Sequence, residues 1–140
     1  MSPVFPDSPT VVAATGVALA RAAELGDAEA DFAVRLLRNF LGLCENPRTR
    51  QGMLRMVRGS VGSARAGQAF YRVLNRSVVN TAARATGIHA SALRFELVSS
   101  QLVGMAMMRY VLEVEPVAST PAEEIVRQFA PAIRATLNQG

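Results

Sequence analysis

Side chains able to do chemistry are few and scattered in this sequence. Among 140 residues there is one histidine and one cysteine. Cys44 therefore has no partner for an intramolecular disulfide, and with His89 as the lone imidazole the usual four-ligand zinc set is out of reach. Cys44 reads as a small buried apolar residue, because no thiolate-stabilising group stands near it in sequence. His89 follows Gly87 in an expected loop and reads as a helix-start or surface residue. The serines lack a histidine–acid set at a motif spacing. Glu123 and Glu124 suit a helix start, where negative charge complements the macrodipole. Gly59, Gly62 and Gly67 cross a helix junction without the strand, lysine and spacing of a phosphate cradle. An enzyme would have to recruit Tyr71, Arg72, Cys44 and His89, which fall on separate segments. The expectation is no enzyme, no metal and no cofactor.

The more suggestive set is apolar. Met53 and Met56 fall on one expected helix, and Met105, Met107 and Met108 on another. Methionine fills irregular gaps in a core, and the same adaptability suits the wall of an apolar cavity between helices. For the second use the expected lining is Phe40, Met53, Met56, Val57, Phe70, Tyr71, Leu74, Val103 and Met107. Tyr71 is its polar handle, with Arg72 and Arg76 as candidate anion partners.

Composition narrows the class of protein. Half of the residues are apolar and 19% are charged, too hydrophobic a balance for a disordered chain and enough for one core without staples. The net charge is +4, and every basic residue is arginine. That balance permits contact with nucleic acid or anionic surfaces without requiring it. The aromatic residues are not interleaved with arginines, so a single-strand groove is not indicated. The N-terminus lacks the charged region and apolar run of a signal peptide. Residues 95–114 come nearest to a membrane span, but they include Glu96, Gln101, Arg109 and Glu113. A charge at mid-bilayer costs roughly 3 kcal/mol. A buried helix of a soluble, cytoplasmic protein with no membrane partner is the better reading.

The elements that must position these residues read as helices throughout. Residues 1–9 hold three prolines and are expected to form an irregular arm; residues 10–140 form the domain. Val11, Val12, Leu19 and Leu25 mark a first helix, with Gly26 as its stop and Asp27 as the next cap. Phe32, Leu36, Leu37, Phe40, Leu41 and Leu43 step by three and four to mark a second helix. Asn46 is expected to cap a third, with Pro47 at its first position and Met53, Leu54, Met56, Val57 and Val61 as its stripe. Ser63 begins a fourth that Gly87 closes. Residues 90–113 form one long helix, apolar nearly all round, on which Ser100 and Gly104 share a face. Thr120, Pro121 and Glu123 form a capping box for the last helix. Its stripe is Ile125, Phe129, Ile133 and Leu137, and Pro131 is expected to bend it. No strand pattern appears. The fold class is all-α, an antiparallel bundle of about five or six helices.

Residues 99–137, "SSQLVGMAMMRYVLEVEPVASTPAEEIVRQFAPAIRATL", resemble the last two helices of tetracycline-repressor (TetR) family regulators. Ser100 to Ala118 follow that family's pattern nearly position for position, and Ala130–Pro131 match its internal Ala-Pro. "ENPRTR", closing the segment Phe40 to Arg50, resembles the helix junction the family writes as D-P-x-[TS]-R. The resemblance implies a regulatory domain that binds a small apolar or amphipathic effector. It also implies a homodimer whose last two helices form a four-helix bundle across a two-fold axis. A helix that is apolar all round needs cover from both its own core and a partner, which agrees. The expected interface is Leu97, Ser100, Gln101, Gly104, Met105, Met108, Ile125, Phe129 and Ile133. "FPDSP" resembles the point where the family's DNA-binding domain ends, although Ser8 and Pro9 stand where a lysine and an acid are usual. Only four residues precede Phe5, too few for a helix-turn-helix. DNA is therefore an expected partner only through a missing N-terminal domain. The alternative reading is a helical lipid- or peptide-binding module unrelated to transcription.

Overall fold

The computed structural model describes the backbone of residues 9–138 and the side chains of residues 26–138. The expected arm, apart from Pro9, and the side chains of the apolar positions Val11 to Leu25 lie outside those bounds. Among the described residues every regular element is helical. They are α1 (Pro9–Glu45), α2 (Arg50–Gly59), α3 (Ala64–Leu74), α4 (Asn80–Thr86), α5 (Ala92–Ala106) and α6 (Ala122–Leu137). A wide π-helical turn, Asn75–Val79, joins α3 to α4 without a break, and a second, Met107–Val111, extends α5. The result is five rods.

Helix α1 is the axis of the bundle and packs against α6, α4 and α2. Its stripe Phe32, Ala33, Leu36, Leu37, Phe40 and Cys44 is fully buried. Burying a side chain of the size of Leu or Phe contributes roughly 2 kcal/mol, so this one face anchors the fold. The other helices bring Val57, Phe70, Leu74, Val78, Val79, Val98, Leu102 and Ile133 to the same core.

Two of the expected boundaries are built as the sequence indicates. The Ser63 side chain accepts a hydrogen bond from the Ala66 N–H and caps α3. Gly87 closes α4 at φ 72°, a left-handed conformation that costs glycine nothing.

Other boundaries differ from expectation. Gly26 does not stop a helix, since α1 runs through it. A Cβ there would lie 3.0 Å from the end of the flexible Arg134 side chain on α6. Asn46 accepts the Arg48 N–H at 2.9 Å, but it caps a turn, and α2 begins only at Arg50. Val61, expected in the stripe of that helix, lies beyond its end and is 74% exposed. The capping box at α6 does not form. Thr120 Oγ1 donates to the Pro116 carbonyl at 2.7 Å, Glu123 accepts from Arg38, and Pro121 takes the cap position. Helix α6 starts at Ala122, one residue later than the box requires. Helix α6 continues unbroken through the exposed Pro131.

Candidate functional site

Helices α5 and α6 lie side by side and are tied at one end by polar contacts. Thr136 Oγ1 donates to Gln101 Oε1 at 3.1 Å, and Arg94 Nη1 donates to the Leu137 carbonyl at 2.6 Å. Toward the core the pair presents Val98, Leu102, Ala106, Val126, Ala130 and Ile133. The opposite face is also apolar. Leu93, Leu97, Met108 and Leu112 are 62, 47, 42 and 60% exposed. An open groove of about 650 Å³ runs between Gly104, Met105 and Met108 on one side and Ile125, Gln128 and Phe129 on the other. A second groove of about 550 Å³ continues the surface past Leu93, Leu97, Ser100, Gln101, Ala135 and Thr136. A Cβ added at Gly104 would meet nothing within 4 Å, so its small size serves no contact within this chain.

Of the nine residues expected at an interface, eight lie on this outer face: Leu97, Ser100, Gln101, Gly104, Met105, Met108, Ile125 and Phe129 are exposed or half-buried. Ile133 does not join them. It is fully buried in the core of its own chain. Residues four apart drift by about 40° per step on a helix of 3.6 residues per turn. The stripe that begins outward at Ile125 has therefore turned inward by Ile133 and Leu137.

Of the nine residues expected around a cavity, Phe40, Met53, Val57, Phe70 and Leu74 are buried in the core of the domain, and Met56, Val103 and Met107 pack half-buried against that core. Tyr71 is half-buried and lines a shallow surface groove of about 580 Å³ with Ser60, Ser63, Gln68, Arg72 and Glu96. Partial burial raises the Tyr71 hydroxyl above its ordinary pKa, with Glu96 adding to the effect. Arg76 lies outside that groove, exposed on the wide turn after α3.

Sequence reasoning missed a polar cluster at the base of α5. Arg109 is 8% exposed. Its Nη1 donates to the carbonyls of Val117 at 2.7 Å and Thr120 at 2.5 Å, and its Nη2 to Glu45 Oε2 at 3.0 Å. The Tyr110 hydroxyl donates to the same Glu45 oxygen at 2.5 Å. One guanidinium thus joins the end of α1, the second π turn and the loop that leads into α6. Its Nε is buried without a partner among the described residues. Burial, with Glu45 adding to it, raises the Tyr110 pKa, so the phenol stays a donor. The available signal was the pair Arg109–Tyr110 inside an otherwise apolar run, since a charge at such a position has to be paired.

Cys44 adjoins this cluster, and burial with the neighbouring Glu45 pushes its thiol up to about 12. The thiolate is the reactive form. At mildly alkaline pH the folded chain should therefore leave a disulfide reagent such as DTNB uncoloured, and guanidinium should release one equivalent of colour. Rapid labelling of the folded protein would contradict this burial.

The described residues thus offer an apolar outer face on the α5–α6 helix pair and several methionines packed in or against the core, with no convergent set of bases and nucleophiles among them. The chain matches the family model described as "Tetracyclin repressor-like, C-terminal domain" over residues 30–137, and it belongs to that family. The match takes in both segments that carried the resemblance in sequence. No curated protein and no solved structure matches the chain. No helix among the described residues is long and apolar enough to cross a membrane.

Proposed function

We propose that this chain is the effector-binding and dimerising domain of a cytoplasmic, non-enzymatic transcriptional regulator. Sequence-specific DNA reading belongs to a helix-turn-helix outside this domain. Two copies pair through α5 and α6 into a four-helix bundle. A small apolar or amphipathic effector enters the core region between Phe40, Met53, Val57, Phe70, Leu74 and Met107, with Tyr71 at its mouth. The observation that carries the reading is the outer face of α5 and α6. Isolated exposed apolar residues are ordinary, but a contiguous apolar stripe around a small residue marks an association surface. Its geometry suits a self-complementary contact, in which Gly104 lets the partner helix approach.

Sedimentation equilibrium tests this. The wild-type chain should be a dimer across micromolar concentrations. Gly104→Arg, which places a charge at the middle of the face without touching the core, should shift it to monomer by at least tenfold in Kd, about 1.4 kcal/mol. Arg35→Gln, on an exposed pair with Asp31, should leave the dimer intact. A wild-type monomer, or a Gly104→Arg dimer of unchanged affinity, counts against the proposal.

A further inference from the structure

Between Asn46 and Phe95 the sequence holds nine arginines and no aspartate or glutamate. The rest of the chain carries six arginines against eleven acids. The excess positive charge is thus concentrated between Arg48 and Arg94, on α2, α3, α4, the turns around them and the start of α5. Eight of the nine arginines are exposed, and only Arg94 is half-buried, against the Leu137 carbonyl. Among the described residues none of the eight lies in an ion pair. The ion pairs belong to Arg35, Arg38, Arg109 and Arg127, on other elements. On α2 the charges converge. Arg50, Arg55 and Arg58 line one surface groove of about 380 Å³ with Gln51 and Leu54, and no acid lines it.

Like charges held together without counter-charges raise the local potential and attract anions. The layout selects among them. A membrane-lying helix needs an apolar face to bury. The apolar residues of α2, namely Met53, Leu54 and Val57, are already buried in the core of this chain, and Val61 is the one large apolar side chain exposed between Asn46 and Ala90. Single-stranded nucleic acid needs aromatic platforms among the charges, but here Phe70 is buried and Tyr71 half-buried. A small anion would engage only the three arginines of the α2 groove and leave the other five exposed ones unused. An extended polyanion with its charges on the outside fits, and guanidinium groups bind phosphate oxygens in a fork.

We propose that the arginine-rich segment from α2 to α4, centred on the groove of Arg50, Arg55 and Arg58, binds the phosphate backbone of duplex DNA without reading its sequence. This surface is separate from the α5–α6 face, so it operates whether or not the chain dimerises.

Fluorescence anisotropy of the full chain with a labelled duplex of arbitrary sequence tests it. Each neutralised phosphate contributes about −0.9 to the slope of log K against log salt, so these three arginines alone imply roughly 40-fold weaker binding from about 50 to about 200 mM salt. The variant Arg50→Gln/Arg55→Gln/Arg58→Gln should bind about tenfold more weakly at low salt and with a slope flatter by about three. Should the triple variant fail to melt cooperatively, Arg55→Gln and Arg58→Gln singly should each flatten the slope by about one. Arg35→Gln/Arg127→Gln, elsewhere on the surface, should change neither quantity. The proposal is overturned by no binding at low salt, by a slope unaltered in the α2 variants, or by equal weakening in the control. It is also overturned if phosphatidylserine-containing vesicles bind the chain more tightly than the duplex. Sedimentation of the same samples reads the dimer separately, so failure here leaves the proposed function standing.

Discussion

Replacing Arg109 with methionine is expected to lower stability by about 3 kcal/mol, although the methionine retains most of the apolar stem. The substitution leaves the carbonyls of Val117 and Thr120 and the Glu45 carboxylate without their shared donor. Breaking a fully buried pair from one side costs about 3–5 kcal/mol, and the lower figure applies because the Glu45 side chain is 35% exposed and partly rehydrated. For a domain of this length the midpoint of thermal unfolding should fall by roughly 10 °C. Glu45→Gln should cost less, about 1 kcal/mol, because an amide oxygen still accepts from Arg109 and Tyr110. Arg127→Gln removes an exposed pair with Glu124 and should shift the midpoint hardly at all. Circular-dichroism melts rank the three variants. Equal losses for Arg109→Met and Arg127→Gln would mean that the buried guanidinium does not hold α1, α5 and the loop before α6 together.

Phe40→Ala should be the most damaging single truncation. Phe40 is fully buried on the axial helix, in the core shared with Met53, Val57, Phe70 and Leu74. Removing a buried phenyl ring costs about 3–5 kcal/mol, the sum of lost transfer energy and the cavity left behind. Urea unfolding measures it, with the midpoint lowered and the slope retained. The same variant probes the proposed effector region, since an empty apolar cavity stays dry and takes up small aromatic molecules. Benzene or indole should raise the melting temperature of Phe40→Ala by mass action. Val61→Ala, at a position 74% exposed, should stay within about 0.5 kcal/mol of wild type. A Phe40→Ala variant as stable as wild type would show that the neighbouring methionines collapse to fill the space.

Much of the fold was legible because its signals are local. The buried stripe of α1 appears as Phe32, Leu36, Leu37, Phe40 and Leu41 at steps of three and four. Ser63 and Gly87 mark ends of elements through bonds and dihedrals within a few residues of themselves. At the start of α6 the local signal lost to a distant one: Glu123, read as the reciprocal acceptor of a capping box, accepts instead from Arg38 on α1, and the helix begins one residue later, at Ala122. The π turn Met107–Val111 left no mark in the apolar spacing, because one added residue in a turn shifts a stripe by less than an all-round apolar helix reveals.

By itself the sequence determined the helical class, the family and most of the apolar stripes that build the core. Those are properties of residue type and short-range spacing. Only the tertiary structure decided which way each face points. On α5 and α6 apolar residues lie on both sides, so periodicity could not say that Ile133 turns inward while Phe129 and Met108 look out. Nor could it say that Arg109 reaches back across the fold to Glu45. Burial and long-range pairing depend on what the other helices leave uncovered, and that is settled only when all of them pack.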